Sequence, residues 1–120
     1  MHAFDYGRPS TVDDAVAALA NEEAVALAGG QTLLPTMKQR LAAPSAVVDL
    51  RGIADLSGIV VHGGSVSIGA TTTHAQVAGN AELKKSLPAL CALADGIGDP
   101  QVRHMGTIGG SVANNDPAAD

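Results

Sequence analysis

Two short segments carry the residue types that could hold a phosphate: Ala28-Gly29-Gly30-Gln31-Thr32 and Thr107-Ile108-Gly109-Gly110-Ser111. Glycine accepts positive φ and lets a ligand approach the backbone closely. Gln31, Thr32, Thr107 and Ser111 add side-chain donors. Where a helix opens behind such a segment, its first amides point outward unpaired and its N-terminus is partly positive, which suits an anion. That chemistry needs no lysine, which fits a 120-residue chain with 7 Lys+Arg, 12 Asp+Glu and a formal charge of −5. Two donor-rich segments could converge on a diphosphate. Glycine pairs are also ordinary turn formers, and Gly63-Gly64 reads as no more than that.

Other chemistries find little support. There is no Gly-x-x-x-x-Gly-Lys-Ser/Thr loop, and Gly96-Ile97-Gly98-Asp99-Pro100-Gln101 begins like a dinucleotide fingerprint but places Gln101 at its last glycine. His2, His62, His74 and His104 lack metal-site spacing. His2 reads as a terminus, His62 as a strand end and His74 as a helix start. His104, three residues before the second glycine segment, is expected to orient it. The single cysteine, Cys91, lies in an apolar stretch and reads as a small buried hydrophobe. It allows no internal disulfide and no iron–sulfur cluster. Asp99 and Asp116 precede prolines and read as turn initiators. No nucleophile–base pair stands out.

Composition narrows the classes further. Aromatic residues are 2%, namely Phe4 and Tyr6 with no Trp, so the core must be built from Val, Ile, Leu and Ala. An acidic chain without stacking aromatics or a basic patch is a poor binder of nucleic acid. No apolar run approaches the ~20 residues of a membrane span. The N-terminal residues lack the blocks of a signal peptide, so a cytoplasmic protein is expected.

The elements that must position the glycine segments can be read from pattern. Phe4-Asp5-Tyr6 is expected to be a short strand. Ser10 or Thr11 caps a helix, with Asp13 and Asp14 favouring its positive end and Val12, Ala15, Val16 and Leu19 at helical spacing. Ala24-Val25-Ala26-Leu27-Ala28 reads as a buried strand running into Gly29. Residues 32–41 read as a helix opened by a Thr32 cap, with Pro35 in the first turn and Lys38 and Arg40 near the end. Ala46-Val47-Val48-Asp49-Leu50 is a third strand, giving a parallel α/β unit. Ile59-Val60-Val61-His62 and Ser65-Val66-Ser67-Ile68-Gly69 around Gly63-Gly64 read as a hairpin. Thr73 or His74 opens a short helix to Ala78. Residues 83–97 read as one or two helices interrupted near Pro88, followed by a helix stop and turn over 95–100.

Three blocks then combine in order. Ala28-Gly29-Gly30-Gln31-Thr32-Leu33-Leu34-Pro35, Gly69-Ala70-Thr71-Thr72-Thr73-His74 and Thr107-Ile108-Gly109-Gly110-Ser111-Val112-Ala113-Asn114-Asn115-Asp116-Pro117-Ala118-Ala119-Asp120 closely resemble the FAD-binding medium subunits of molybdenum hydroxylases, the carbon monoxide dehydrogenase medium subunit and xanthine dehydrogenase FAD subunit among them. The resemblance spans essentially the whole chain. It implies an α+β, PCMH-type FAD-binding fold: an N-terminal α/β subdomain over 1–55 and part of a second α+β subdomain over 56–120. Such subunits run to more than twice this length, so a C-terminal region covering the flavin is expected to be absent from this chain.

The resemblance also implies roles. Ala28, Gly29, Gly30, Gln31 and Thr32, extended by Leu33 and Leu34, and Thr107, Ile108, Gly109, Gly110 and Ser111 would contact the FAD pyrophosphate. Asp120 would accept hydrogen bonds from ribityl hydroxyls. Asn114 would lie near the flavin, and Thr72 and Thr73 would support the site. The implied partners are a large molybdenum-cofactor subunit and a small [2Fe-2S] subunit in a hetero-oligomer, with electrons passing through FAD to an external acceptor. The flavin would carry the redox chemistry, and the protein would position it. Two alternatives stand beside this reading. One is a truncated assembly fragment that does not retain FAD. The other is a different FAD oxidase with covalent flavin, disfavoured because no histidine lies in the first glycine segment.

Overall fold

The computed structural model describes residues 1–119. The chain divides into two compact units, Met1–Leu56 and Ser57–Asp120. Among the described residues no helix is long and apolar enough to cross a membrane.

The first unit runs β1 (Asp5–Gly7), α1 (Val12–Ala18), β2 (Ala24–Leu27), α2 (Leu33–Lys38) and β3 (Ala46–Asp49), then two single-turn 3-10 segments at Leu50–Gly52 and Ala54–Leu56. β3 lies in the middle of a three-stranded sheet and pairs parallel with both neighbours. Asp5 and Ala24 both lie opposite Ala46, and Leu27 lies opposite Asp49.

The two consecutive valines of β3 explain its central place. Neighbouring side chains on a strand point to opposite faces. Val48 packs with Ala15 of α1 and with Ile53, whereas Val47 packs with Leu27 and with Met37 of α2. Each face thus buries one β-branched residue, worth roughly 1.5–3 kcal/mol apiece. A parallel sheet covered on both sides results.

Local signals place most boundaries. Thr11 caps α1, its hydroxyl accepting from Asp14 N at 3.2 Å, with Asp13 and Asp14 in the first turn. β1 starts one residue later than Phe4, because its pairing begins at Asp5 opposite Ala46, the first residue of β3, while Phe4 packs against the Leu27–Met37–Val47 cluster. α2 stops at Lys38, short of Leu41. There Arg40 takes φ +60, its amide bonds to Met37 O at 3.0 Å, and Leu41 N bonds back to Thr36 O at 3.0 Å. This left-handed turn closes the helix and satisfies its last carbonyls.

The second unit opens with the expected hairpin, β4 (Ile59–His62) against β5 (Ser65–Ile68). Gly63 and Gly64 have φ +55 and +85, as a two-residue turn of this kind requires. Then follow α3 (His74–Gly79), α4 (Ala81–Ser86), α5 (Pro88–Gly96), α6 (Pro100–Met105) and α7 (Ile108–Asn114). Ile59, Val66 and Ile68 pack onto a core of Val77, Leu83, Cys91 and Ala94. Pro88 divides α4 from α5 and sits in the first turn of the latter. α6 was not legible as a helix. Asp99-Pro100, read as a turn, starts it instead: the Asp99 carboxylate accepts from Val102 N at 2.8 Å and Pro100 fills the first position.

Candidate functional site

The first glycine segment leaves β2 at its C-terminal end and leads into α2. Gly30 has φ +74, and a β-carbon there would lie 2.9 Å from Leu34 Cδ1. Gly30 O accepts from Leu34 N at 3.0 Å, and Thr32 O accepts from Thr36 N and Thr36 Oγ1 at 3.2 and 2.7 Å. Thr32 stands at the cap position, but its hydroxyl makes no capping bond, against the expectation. Its backbone is already helical, with φ −104 and ψ −49, and a capping side chain normally needs extended backbone. Gln31 folds back to donate to Gly29 O at 3.1 Å. Among the described residues, no hydrogen bond takes up the amides of Gly30, Gln31, Thr32 and Leu33. Gln31 and Thr32 are exposed, and Gly30 and Leu33 are half-buried. Four consecutive unpaired amides beyond the carboxyl end of a parallel strand are a fit for an anion.

The second glycine segment is built differently. Thr107 caps α7, and Gly109-Gly110 lie inside its first turn rather than in a loop before it. The backbone of 106–109 runs against 70–74, with an antiparallel bridge between Thr73 and Thr107. Ile108 N donates to Thr72 O at 3.0 Å and Gly109 N to Ala70 O at 2.9 Å. Gly110 N donates to Thr107 Oγ1 at 3.1 Å and Ser111 N to Thr107 O at 3.1 Å. The expectation of unencumbered amides is therefore corrected: all four are engaged within the chain, and a ligand could share one only as a three-centre bond. Ser111 is exposed, and its hydroxyl is the side-chain group this segment can still offer.

The supporting threonines are structural. Thr72 is fully buried, with Oγ1 between Gly58 N at 3.0 Å and Gly58 O at 3.2 Å. Thr73 and Gln76 form a capping box that opens α3. The histidine that reaches the second segment is His74, whose Nε2 lies 3.2 Å from Ser111 Oγ. His74 is only 5% exposed, and burial pushes its imidazole below its ordinary pKa. His104 does not orient the segment as expected. Its Nδ1 bonds Pro100 O in its own helix at 2.6 Å. Asn114 ends α7 on the exposed side, and Asp120 lies outside the described residues. Among the described residues no cluster of His, Cys, Asp or Glu could hold a metal ion.

One group went unremarked in the sequence. Asp49 ends β3 and is 0% exposed. Its Oδ1 accepts from Arg51 N and Arg51 Nε, both at 2.9 Å. Its Oδ2 accepts from Arg51 Nη2 at 2.7 Å and from Tyr6 OH at 2.6 Å. The Arg51 hydrogen bonds hold the Asp49 carboxyl well below the usual carboxylate range, against the opposing effect of burial. The same contacts push Arg51 and Tyr6 up. The carboxylate fixes the end of the central strand, beside the point where β2 enters the first glycine segment. An acidic residue closing an apolar strand with an arginine two positions on was the available signal.

The FAD binding domain in molybdopterin dehydrogenase matches residues 2–120. The chain is 50% identical over 120 residues to a carbon monoxide dehydrogenase medium chain from Afipia carboxidovorans, covering 98% of this chain and 42% of that one. It is 39% identical over 121 residues to a nicotine 6-hydroxylase medium subunit from Paenarthrobacter nicotinovorans, covering 100% and 43%. The crystal structure of a Cu,Mo-CO dehydrogenase in its cyanide-inactivated form superposes with a TM-score of 0.95 at 50% identity, over 99% of this chain and 42% of that one. The chain belongs to the family of FAD-binding domains of molybdopterin dehydrogenases, an α+β fold whose cofactor is FAD. It spans about two fifths of the length of the curated relatives it matches.

Proposed function

We propose that the chain is the FAD-holding, electron-transferring part of a molybdenum-containing hydroxylase or dehydrogenase. In this reading it works beside a large molybdenum-cofactor subunit and a small [2Fe-2S] subunit, in the cytoplasm. FAD held by residues 28–34 and 107–111 would supply two-electron redox chemistry between the iron–sulfur partner and an external acceptor.

This chain's own residues bind and orient. The observation that carries the reading is the run of unpaired amides at Gly30, Gln31, Thr32 and Leu33, which would take pyrophosphate oxygens. Gly30, at φ +74 and without a side chain, would let the phosphate approach its backbone. Ala28 and Gly29 lead the chain into this turn, and Leu33 and Leu34 extend the contact along the cofactor. Residues 107–111 would serve the same cofactor, chiefly through Ser111. Asn114 and Asp120 would face the flavin and the ribityl chain. The substrate is a matter for the molybdenum partner: the names of relatives that share this domain point to substrates as unlike as carbon monoxide and nicotine.

The engagement of the amides at Ile108, Gly109, Gly110 and Ser111 favours a second reading, in which this chain by itself does not retain FAD and serves assembly. Titration of the full chain with FAD, followed by quenching of flavin fluorescence, separates the two. Saturable quenching that weakens in Gly30→Val and in Ser111→Ala supports the first reading. Absence of saturable quenching favours the second, and unchanged affinity in both variants refutes the assigned contacts.

A further inference from the structure

The Ser111 hydroxyl has one hydrogen and lone pairs on the same oxygen, so its use depends on what its neighbour does. A phosphate oxygen only accepts. If the His74 ring accepted the Ser111 hydrogen, the hydroxyl would present lone pairs to a phosphate and repel it. The amides around Ser111 are already spent on Thr72, Ala70 and Thr107, and Thr107, whose hydroxyl accepts from Gly110 N, is buried. Whatever residues 107–111 donate must therefore come largely from Ser111.

His74 is placed to decide the matter. Its backbone N–H is held by Gly106 O at 3.0 Å, and the Thr73–Gln76 capping box fixes the start of its helix. Its ring lies against Gly106, where a β-carbon would be 3.1 Å from Cδ2 and 3.4 Å from Nε2, so glycine there makes room for the ring. A buried neutral imidazole carries one proton. Among the described residues Nε2 faces Ser111 Oγ and no hydrogen bond engages Nδ1. Nδ1–H would find no acceptor among the described residues, whereas Nε2–H meets the Ser111 oxygen.

We propose that His74 is a positioning residue that donates its Nε2–H to Ser111 Oγ and so turns the Ser111 hydroxyl hydrogen outward to a phosphate oxygen of FAD. The proposal rests on the reading that Ser111 contacts the FAD pyrophosphate.

Two measurements on the full chain test it. Long-range proton–nitrogen NMR of the unliganded protein reads the His74 tautomer and needs no variant. The Nε2–H form is expected, and the Nδ1–H form overturns the proposal. FAD titration of Ser111→Ala, His74→Leu, His74→Gln and the Ser111→Ala/His74→Leu pair reads the coupling. Ser111→Ala and His74→Leu should each weaken binding by about tenfold. The pair should be no weaker than Ser111→Ala alone, and His74→Gln, whose amide can donate from a similar place, should bind nearly as tightly as the unaltered chain. If His74→Leu weakens binding equally with and without Ser111, His74 is merely structural and the proposal falls. If Ser111→Ala weakens binding and His74→Leu does not, the proposal falls while the Ser111 contact stands. If Ser111→Ala changes nothing, the Ser111 contact itself is wrong and the proposal goes with it.

Discussion

Gly109 and Ala70 meet backbone to backbone: the Gly109 amide donates to Ala70 O at 2.9 Å, and a β-carbon on Gly109 would lie 2.5 Å from that oxygen. Nothing in the pair can swing aside, because both partners are main chain. Gly109→Ala should therefore destabilise the second unit even without FAD, by about 1–3 kcal/mol as overpacking does. At Gly110 the added carbon would meet only Thr107 Oγ1, at 2.8 Å, and the penalty is that of a disturbed cap, about 1 kcal/mol. Denaturant unfolding of the two FAD-free variants checks the order. Equal midpoints would show that the close approach has no consequence.

Gly30 differs, because its neighbour is the far end of a side chain. Leu34 can shift, and the cost of Gly30→Ala comes mainly from φ +74, about 1–2 kcal/mol for a residue with a β-carbon. The larger effect should appear with ligand. FAD should raise the melting temperature of the unaltered chain by mass action, and that rise should shrink in Gly30→Ala. A full ligand-induced rise in the variant would remove the first glycine segment from the binding site.

Asp49 makes stability depend on acid. Its folded pKa is depressed below the ordinary value of 3.8, chiefly by Arg51. Such a group contributes stability that is fully present above the unfolded pKa and is lost as pH falls from there toward the lower folded value. The unaltered chain should lose stability steeply below about pH 4. Asp49→Asn should start lower near neutrality, by about 1–3 kcal/mol from weakened hydrogen bonds to a buried group, and show a shallower slope in acid. The Arg51 side chain is 41% exposed, so direct charge attraction adds little to that figure. Parallel slopes in the two proteins would contradict the assignment.

Arg40 occupies a left-handed turn that favours glycine. Arg40→Gly should stabilise the first unit by about 0.5–1 kcal/mol, since the steric cost of the turn outweighs the extra chain entropy of glycine. Thermal unfolding checks the sign. A lower midpoint would mean that the Arg40 side chain makes a compensating contact.

Cys91 should be inert in the folded protein. It is buried and donates its Sγ–H to Val77 O at 3.3 Å. A thiol reagent should modify it only under denaturing conditions, and rapid labelling of the native chain would show that the second unit opens there.

Legibility in the sequence followed the range of the interaction. Thr11 with Asp13 and Asp14, Gly63-Gly64 between alternating strands, and Pro88 at a helix start act over a few residues and were readable. So was the first glycine segment, whose open amides depend only on the turn between β2 and α2. The engagement of the second segment was hidden because Ala70 and Thr72, which take its amides, lie far back in the chain. The contact of His74 with Ser111 was hidden for the same reason, and nothing local distinguishes His74 from His104. Asp99-Pro100 carried two local meanings, turn and helix start, and the bond to Val102 N selects the second.

The middle strand of the first sheet is the last of its three to be synthesised. β1 and β2 do not pair with each other, and each pairs with β3. Until Ala46-Val47-Val48-Asp49 arrives neither has a strand to pair with, and in the finished sheet β3 fills the space of about 10 Å between them. On the ribosome, then, the first glycine segment emerges into a half-made scaffold, and any early capture of a nucleotide there would precede the sheet that holds it.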